Sequence, residues 1–310
     1  MPNPTVSIFM LTYNQEQFIG QAIDSILRQQ TTFNIQLVIG EDYSTDATRQ
    51  ICEEFARNNG NRIKLLPSLG RNIGLIANYM RTIKECDGTY IAICDGDDYW
   101  IDDFKLQKQV DFLEQQRDYS MVYTGIQKLY ETGICKNYTY HLTKTDLNFD
   151  DLVLDNFIHS VSVLFRNTLS EDHFLPSWIA KFPFGDWPSY LWTLKDGGKI
   201  QYLEDITAVY RMDIGVSAQY MKKNSAFQQT LIDLLEEMHS DPNFSRHQVS
   251  IACSILVRQR DQMTSYNRER SYHNGFIVYL KLLAKSPSKL KLSKLYCHSI
   301  YKSLIPIKKK

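Results

Sequence analysis

The run Thr89-Tyr90-Ile91-Ala92-Ile93-Cys94, followed at once by Asp95-Gly96-Asp97-Asp98, constrains this chain more than any other stretch. A short apolar run bounded by Gly and Asp reads as a buried strand. Three carboxylates packed at its end repel one another, so keeping them together gains little unless a cation neutralises them. Hard oxygen ligands on a short loop favour Mg²⁺ or Mn²⁺, ions that keep positions open for water and substrate phosphates. The same residues also suit a solvated acidic turn, because Asp and Gly are ordinary turn residues.

Three more apolar runs follow the same design. Val6–Leu11 ends at Thr12-Tyr13-Asn14, Ile35–Ile39 ends at Glu41-Asp42-Tyr43-Ser44, and Ile63–Leu66 is the third. Helices are expected between them: about 17–28 with Asn14 and Gln17 as a capping box, about 46–58 capped by Ser44, and from Arg71-Asn72-Ile73-Gly74 to about Cys86. Strands alternating with single helices imply parallel pairing with right-handed crossovers, and ligands in such sheets bind at the carboxyl ends of the strands. Thr12, Asp42 and the Asp95–Asp98 loop all fall at such ends.

Beyond Trp100 the pattern predicts a helix over about 104–116 with Leu106, Val110 and Leu113 inside, and a strand over 121–129. The alternating segment Phe157–Phe165 reads as a half-buried strand in which His159 is a partly buried polar residue rather than a ligand. After Pro183-Phe184-Gly185-Asp186-Trp187-Pro188 come a helix over about 189–195 and strands at 200–203 and 207–210; from about Tyr220 onward the periodicity is helical.

The length, 310 residues, suits one large α/β domain or two smaller ones, and 35 basic against 35 acidic residues exert no global pull toward nucleic acid. The balance hides an asymmetry: from Ser271 to Lys310 there is no Asp or Glu but nine lysines. Six cysteines without a CxxC pair read as reduced thiols, mostly in the core. The absence of a leader pattern or an apolar run of transmembrane length predicts a cytoplasmic protein.

Four stretches together, Val6–Asn14 with its following helix, Glu41-Asp42-Tyr43-Ser44-Thr45-Asp46, Arg71-Asn72-Ile73-Gly74 and Cys94-Asp95-Gly96-Asp97-Asp98-Tyr99-Trp100, resemble a family 2 glycosyltransferase over about residues 4–215. The resemblance implies a GT-A fold: an α/β/α nucleotide-binding sandwich with a mixed, mostly parallel sheet. It implies a catalytic domain over 1–218, about 1–100 on the nucleotide-sugar side and about 101–218 on the acceptor side. A helical, lysine-rich region over 219–310 follows.

It also implies roles by position. Thr12, Tyr13 and Glu16 line the nucleotide pocket, with the Tyr13 ring as a wall for the base. Asp42 accepts a hydrogen bond from the base, which favours uracil or another base with an imide-type N–H and hence a UDP-sugar. Arg71 reaches the base or a phosphate, or is a solvated loop arginine. Asp95 contacts ribose or a metal-bound water, Asp97 ligates Mn²⁺ or Mg²⁺, and Asp98 ligates as well or tunes the site.

An inverting transferase needs a base on the acceptor face of the sugar. Asp186 stands where the family carries that base; it is also a natural helix cap. Relatives often have a second acid before it, where this chain has Gly185. Many relatives carry His at the position of Asp213, which here either ligates the metal or ligates nothing. Arg211 approaches the diphosphate or pairs with a nearby acid. Trp100 and Trp187 flank the acceptor side, or pack the core.

The function so implied is metal-dependent, inverting sugar transfer from a nucleotide-sugar to a hydroxyl of a glycan or lipid-linked glycan in surface polysaccharide synthesis. A catalytically silent nucleotide-sugar or glycan-binding module is the alternative. A nucleotidyltransferase would show a glycine-rich, basic loop after the first strand, which Thr12-Tyr13-Asn14 is not. At the far end, Phe276, Ile277, Tyr279, Leu280, Leu282 and Leu283 with the spaced lysines form an amphipathic, cationic pattern. It suits an anionic membrane surface at the inner face of the cell membrane, or a solvated tail packing on the acidic catalytic domain.

Overall fold

The structure is a computed structural model, and it describes residues 5–133, 135–139, 144, 146–169, 174–212, 214, 224–285 and 288–305. Its contacts divide the chain into two compact units, Met1–Leu152 with Asn156–Gly215, and Val153–Asp155 with Val216–Lys310.

In the first unit the apolar runs become strands because both their faces are covered. β1 (Val6–Thr12) is buried at every position, and β2 (Ile35–Glu41) at all but one. With β3 (Ile63–Leu65) and β4 (Tyr90–Ile93) they form the parallel half of a sheet ordered β3-β2-β1-β4. Helices α1 (Ile19–Leu27), α2 (Thr48–Asn58) and α3 (Leu75–Ile83) make the crossovers. Ile19, Ala22, Ile23 and Ile26 of α1 pack against Val6, Ile8 and Met10, and each fully buried Ile or Leu is worth roughly 1.5–3 kcal/mol.

The sheet continues antiparallel through β8 (Leu164–Arg166) to β6 (Tyr119–Leu129). β6 then pairs in parallel with β9 (Lys199–Arg211), and β5 (Tyr99–Trp100) lies antiparallel on β9. β7 (Cys135–Tyr138) pairs with β6 outside this path. The 200–203 and 207–210 segments are thus one strand with a register shift, not two. Helix α4 (Lys105–Gln115) covers one face, α5 (Phe149–Leu154) follows β7, and α6 (Asp186–Leu194) precedes β9.

Three local expectations are corrected. Asn14 caps nothing on α1: its backbone is left-handed at φ 52°, and its side chain instead accepts the Thr45 N–H. Ser44 does not cap α2, because its hydroxyl accepts the Asn14 N–H. The Phe157–Phe165 segment is not one strand; Ser160–Ser162 forms a 3-10 turn, held by Ser162 Oγ donating to the His159 carbonyl, and only Leu164 onward joins the sheet.

The second unit is helical: α7 (Asn224–Ser240), α8 (Gln248–Arg268), α9 (Tyr272–Lys285) and α10 (Lys289–Leu304). Met263, Leu282 and Leu292 form a small core between α8, α9 and α10, and buried Asn267 donates to Ser299 Oγ at 2.7 Å. No described helix is long and apolar enough to cross a membrane.

Candidate active site

The carboxyl ends of β1, β2 and β4 lie side by side because the three strands pair in parallel, so the loops after them share one edge. The loops after β1 and β2 are laced together. The Asn14 N–H donates to Ser44 Oγ, the Gln15 N–H to Thr48 Oγ1, the Glu16 N–H to Asp46, and the Ala47 N–H to Glu16 Oε2 at 2.8 Å. Tyr13 and Tyr43 stand out from this lacing, 46% and 48% exposed. Tyr43 is itself left-handed at φ 60°, a conformation that costs a bulky residue about 1–2 kcal/mol.

Asp42 is buried and fixed. Its two carboxylate oxygens accept the N–H groups of Ile73 and Gly74, each at 2.9 Å, and Asn72 donates to its carbonyl. Each oxygen retains a second acceptor site. Arg71, one residue before this anchor, is exposed. Beside Asp42, buried Glu41 accepts the Ser44 N–H at 2.6 Å.

The acid loop is built differently. The Gly96 N–H donates to the Leu11 carbonyl, and the Leu11 N–H reaches Asp95 Oδ1 at 3.4 Å, so β1 grips the loop at its first residues. Gly96 is required by close approach: a Cβ there would stand 2.5 Å from Gln15 Oε1 and 2.7 Å from Thr12 Oγ1. Both of those oxygens are buried with no hydrogen-bond partner among the described residues, and they face the loop.

Burial, and then the neighbouring Asp97 charge, push the Asp95 carboxyl up to about 8, with Asp186 adding to the effect. Burial also raises Asp97, against the opposing pull of Arg211 and Gln15. Asp98 is buried and raised well above its ordinary value by desolvation and by Asp97; its Oδ1 accepts the Arg211 N–H at 2.8 Å. Burial raises Asp186 too, at the first turn of α6.

Arg211 is a clamp rather than a free cation. Its guanidinium donates to the Asp97 carbonyl and to Gln21 Oε1, and lies over the rings of Phe18 at 4.6 Å and Tyr99 at 4.9 Å. Asp213, two residues on, lies outside the described residues. Trp100 and Trp187 are core residues, a correction to the acceptor-side expectation: both are buried, and their indole N–H groups donate to the carbonyls of Val161 and Leu152. Lys105 is buried over the Trp100 ring at 4.4 Å, bonded to Gln109, and desolvation lowers it to about 7. Lys105 and Gln109 were missed because pattern reading counts both as surface positions; Gln15 and Gln21 carry no motif at all.

Gly185 has a steric cause. A Cβ there would meet the Tyr79 ring at 2.5 Å, and Tyr79 is held in place by its hydroxyl donating to Ser189 Oγ on α6. A second acid before Asp186 has no room.

Among the described residues no three Asp, Glu, His or Cys side chains already converge as a closed metal cage. The donor set, desolvated carboxylates with unpartnered oxygens beside them, still fits a hard divalent cation that takes one or two protein ligands and completes its shell with phosphate and water.

The sequence model of "Glycosyl transferase family 2" matches residues 7–174. The chain belongs to this family. The uncharacterized protein Rv1520 of Mycobacterium tuberculosis is 35% identical over 209 residues, 66% of this chain and 58% of the relative, so the match leaves over a third of that protein uncovered. TarS of S. aureus, solved with UDP-GlcNAc, has a TM-score of 0.59 at 17% identity, covering 96% of this chain and 80% of that one. The mannosyltransferase PcManGT of Pyrobaculum calidifontis, solved with GDP-Man and Mn²⁺, has a TM-score of 0.59 at 15% identity, covering 98% and 81%. At these identities the likeness is one of fold, and the fold is the GT-A type expected.

Proposed function

We propose that this chain is an inverting glycosyltransferase that moves a sugar from a nucleotide-sugar, a UDP-sugar by the Asp42 reading, to a hydroxyl of a glycan or lipid-linked glycan. One observation carries the reading: Asp95, Asp97, Asp98 and Asp186 gather at one sheet edge with their carboxyls raised by burial and, at Asp95 and Asp98, by one another, an arrangement that costs stability unless it serves a ligand. The first unit, with the boundary expected near 218, is the catalytic region.

Tyr13, with Thr12 and Glu16 behind it, walls the base; Asp42 accepts from the base through its remaining acceptor sites, and Arg71 reaches toward base or phosphate. Asp95 faces the ribose side. Asp97 is the primary ligand for Mn²⁺ or Mg²⁺, and Asp98, tied to the Arg211 N–H, holds the loop in shape. A bound cation would supply charge stabilisation to the departing diphosphate.

Asp186 takes the proton of the acceptor hydroxyl as that oxygen bonds to the anomeric carbon and the sugar–diphosphate bond breaks with its electron pair. A carboxylate with a raised pKa is the stronger base for this step. Asp186→Asn should lower transfer by about 10²–10⁴-fold, the usual share of a general base, with nucleotide affinity unchanged. Equal loss of transfer and nucleotide binding would sink the assignment.

A further inference from the structure

The second unit exposes an apolar face that its own core leaves unused. Leu282 and Leu292 point inward, so part of the apolar pattern at this end belongs to the core. On α10, Leu290, Tyr301 and Leu304 are 69%, 63% and 64% exposed, and on α9 Phe276, Ile277 and Leu280 are exposed as well. At about 3.6 residues per turn, Leu290, Cys297, Tyr301 and Leu304 fall along one line of α10, and the three α9 residues share one stripe. The two helices meet where Tyr279 stacks on Tyr296 at 4.4 Å, and the Phe276 ring of the α9 stripe lies 6.3 Å from Tyr296.

Lysines border both stripes. Lys281 and Lys285 follow one side of the α9 stripe, Lys291 and Lys302 one side of that of α10, and Lys294 lies within it; all are exposed. None of these five holds an ion pair among the described residues, although bridges to carboxylates tie lysines elsewhere in the chain. With no Asp or Glu after Arg270, nothing in this segment neutralises them. Lys308, Lys309 and Lys310 lie outside the described residues.

We infer that this face of α9 and α10 lies flat on an anionic lipid surface, with the apolar stripes at the headgroup–acyl boundary and the lysines on headgroup phosphates. A second copy is the poorer occupant, because an isologous contact would set lysines against lysines. Lying on the bilayer, rather than spanning it, agrees with the length and polarity of these helices. The inference does not depend on the catalytic reading, since vesicle binding needs neither donor nor acceptor.

The test is flotation of the full chain with vesicles of phosphatidylcholine alone or mixed with phosphatidylglycerol, at low and high salt. The protein should float with the phosphatidylglycerol vesicles at low salt, be released by high salt, and stay behind with phosphatidylcholine. Lys281→Gln, Lys285→Gln, Lys291→Gln and Lys294→Gln combined should weaken that binding by about a hundredfold or more, at roughly fivefold per lysine. Leu290→Glu with Tyr301→Glu should abolish it with an unchanged Tm, since both side chains are outside the core. Absent or charge-independent flotation of the unaltered chain overturns the inference, whatever the variants do. So does a lipid-indifferent dimer that Leu290→Glu disperses.

Discussion

At the ends of β1 and β2 the polar side chains answer one another: Asn14 with Ser44 and Thr45, Glu16 with Ala47, Asp42 with Ile73 and Gly74. At the end of β4 the carboxylates are answered only in part, by the Leu11 and Arg211 N–H groups. Asp95, Asp97 and Asp98 are desolvated side by side, and the β1-end oxygens Thr12 Oγ1 and Gln15 Oε1 that face them lack partners. The loops after β1 and β2 are tied largely by their own hydrogen bonds and hold a shape; the acid loop is desolvated, and a cation and a diphosphate would complete it. Carboxylates only a strand apart therefore carry opposite consequences for stability.

Opposite substitutions expose the contrast. Asp97→Asn should weaken Mn²⁺-dependent nucleotide binding by about a hundredfold, roughly 2.7 kcal/mol, while raising the metal-free Tm by roughly 2–4 °C, the equivalent of about 1 kcal/mol. Asp42→Ala should instead destabilise the metal-free protein by about 2–4 kcal/mol, because two backbone N–H groups lose their acceptor. Thermal melts of both variants without metal check this; movement of both in one direction would erase the distinction.

Lys105, beneath the acid loop, extends the desolvated region downward and gives it a pH signature. The unfolded chain keeps the lysine proton up to its ordinary value of 10.5, whereas the folded chain releases it above about 7. The unfolded state binds more protons across that window, so stability should rise with pH from about 7 to 10.5, and Lys105 contributes no slope below it. Lys105→Met should remove this rise, read as the difference between the two proteins in Tm against pH.

The smallest effect belongs to the laced loops. Tyr43→Gly should stabilise by about 1 kcal/mol through relief of its left-handed backbone. If the exposed ring shares the base wall with Tyr13, nucleotide affinity should fall severalfold at the same time; unchanged affinity would make the tyrosine a bystander.

The buried strands and their carboxyl ends were legible because apolar runs and Gly-Asp stops are local signals. The first helix starts were misread because Asn14 and Ser44 bond across loops instead of along their own helices. The alternation over 157–165 marked burial on two sides of a turn, not the pleat of a strand. The acids were found by motif, but their supports, Gln15, Gln21, Lys105 and the Arg211 clamp, act through contacts between residues far apart in sequence. The indoles of Trp100 and Trp187 stay open between acceptor side and core in the sequence because residue type does not reveal which side of a loop a ring faces.

Tyr79 and Gly185 occupy one space between them. A larger residue at 185 is ruinous while the ring is present, and a smaller residue at 79 leaves a hole while the glycine is present. Neither change is tolerated first, so descent from or toward a chain with an acid before Asp186 must cross a weakened intermediate. The two positions should be inherited as a pair, and a library that varies them singly would miss every combination in which one change makes room for the other.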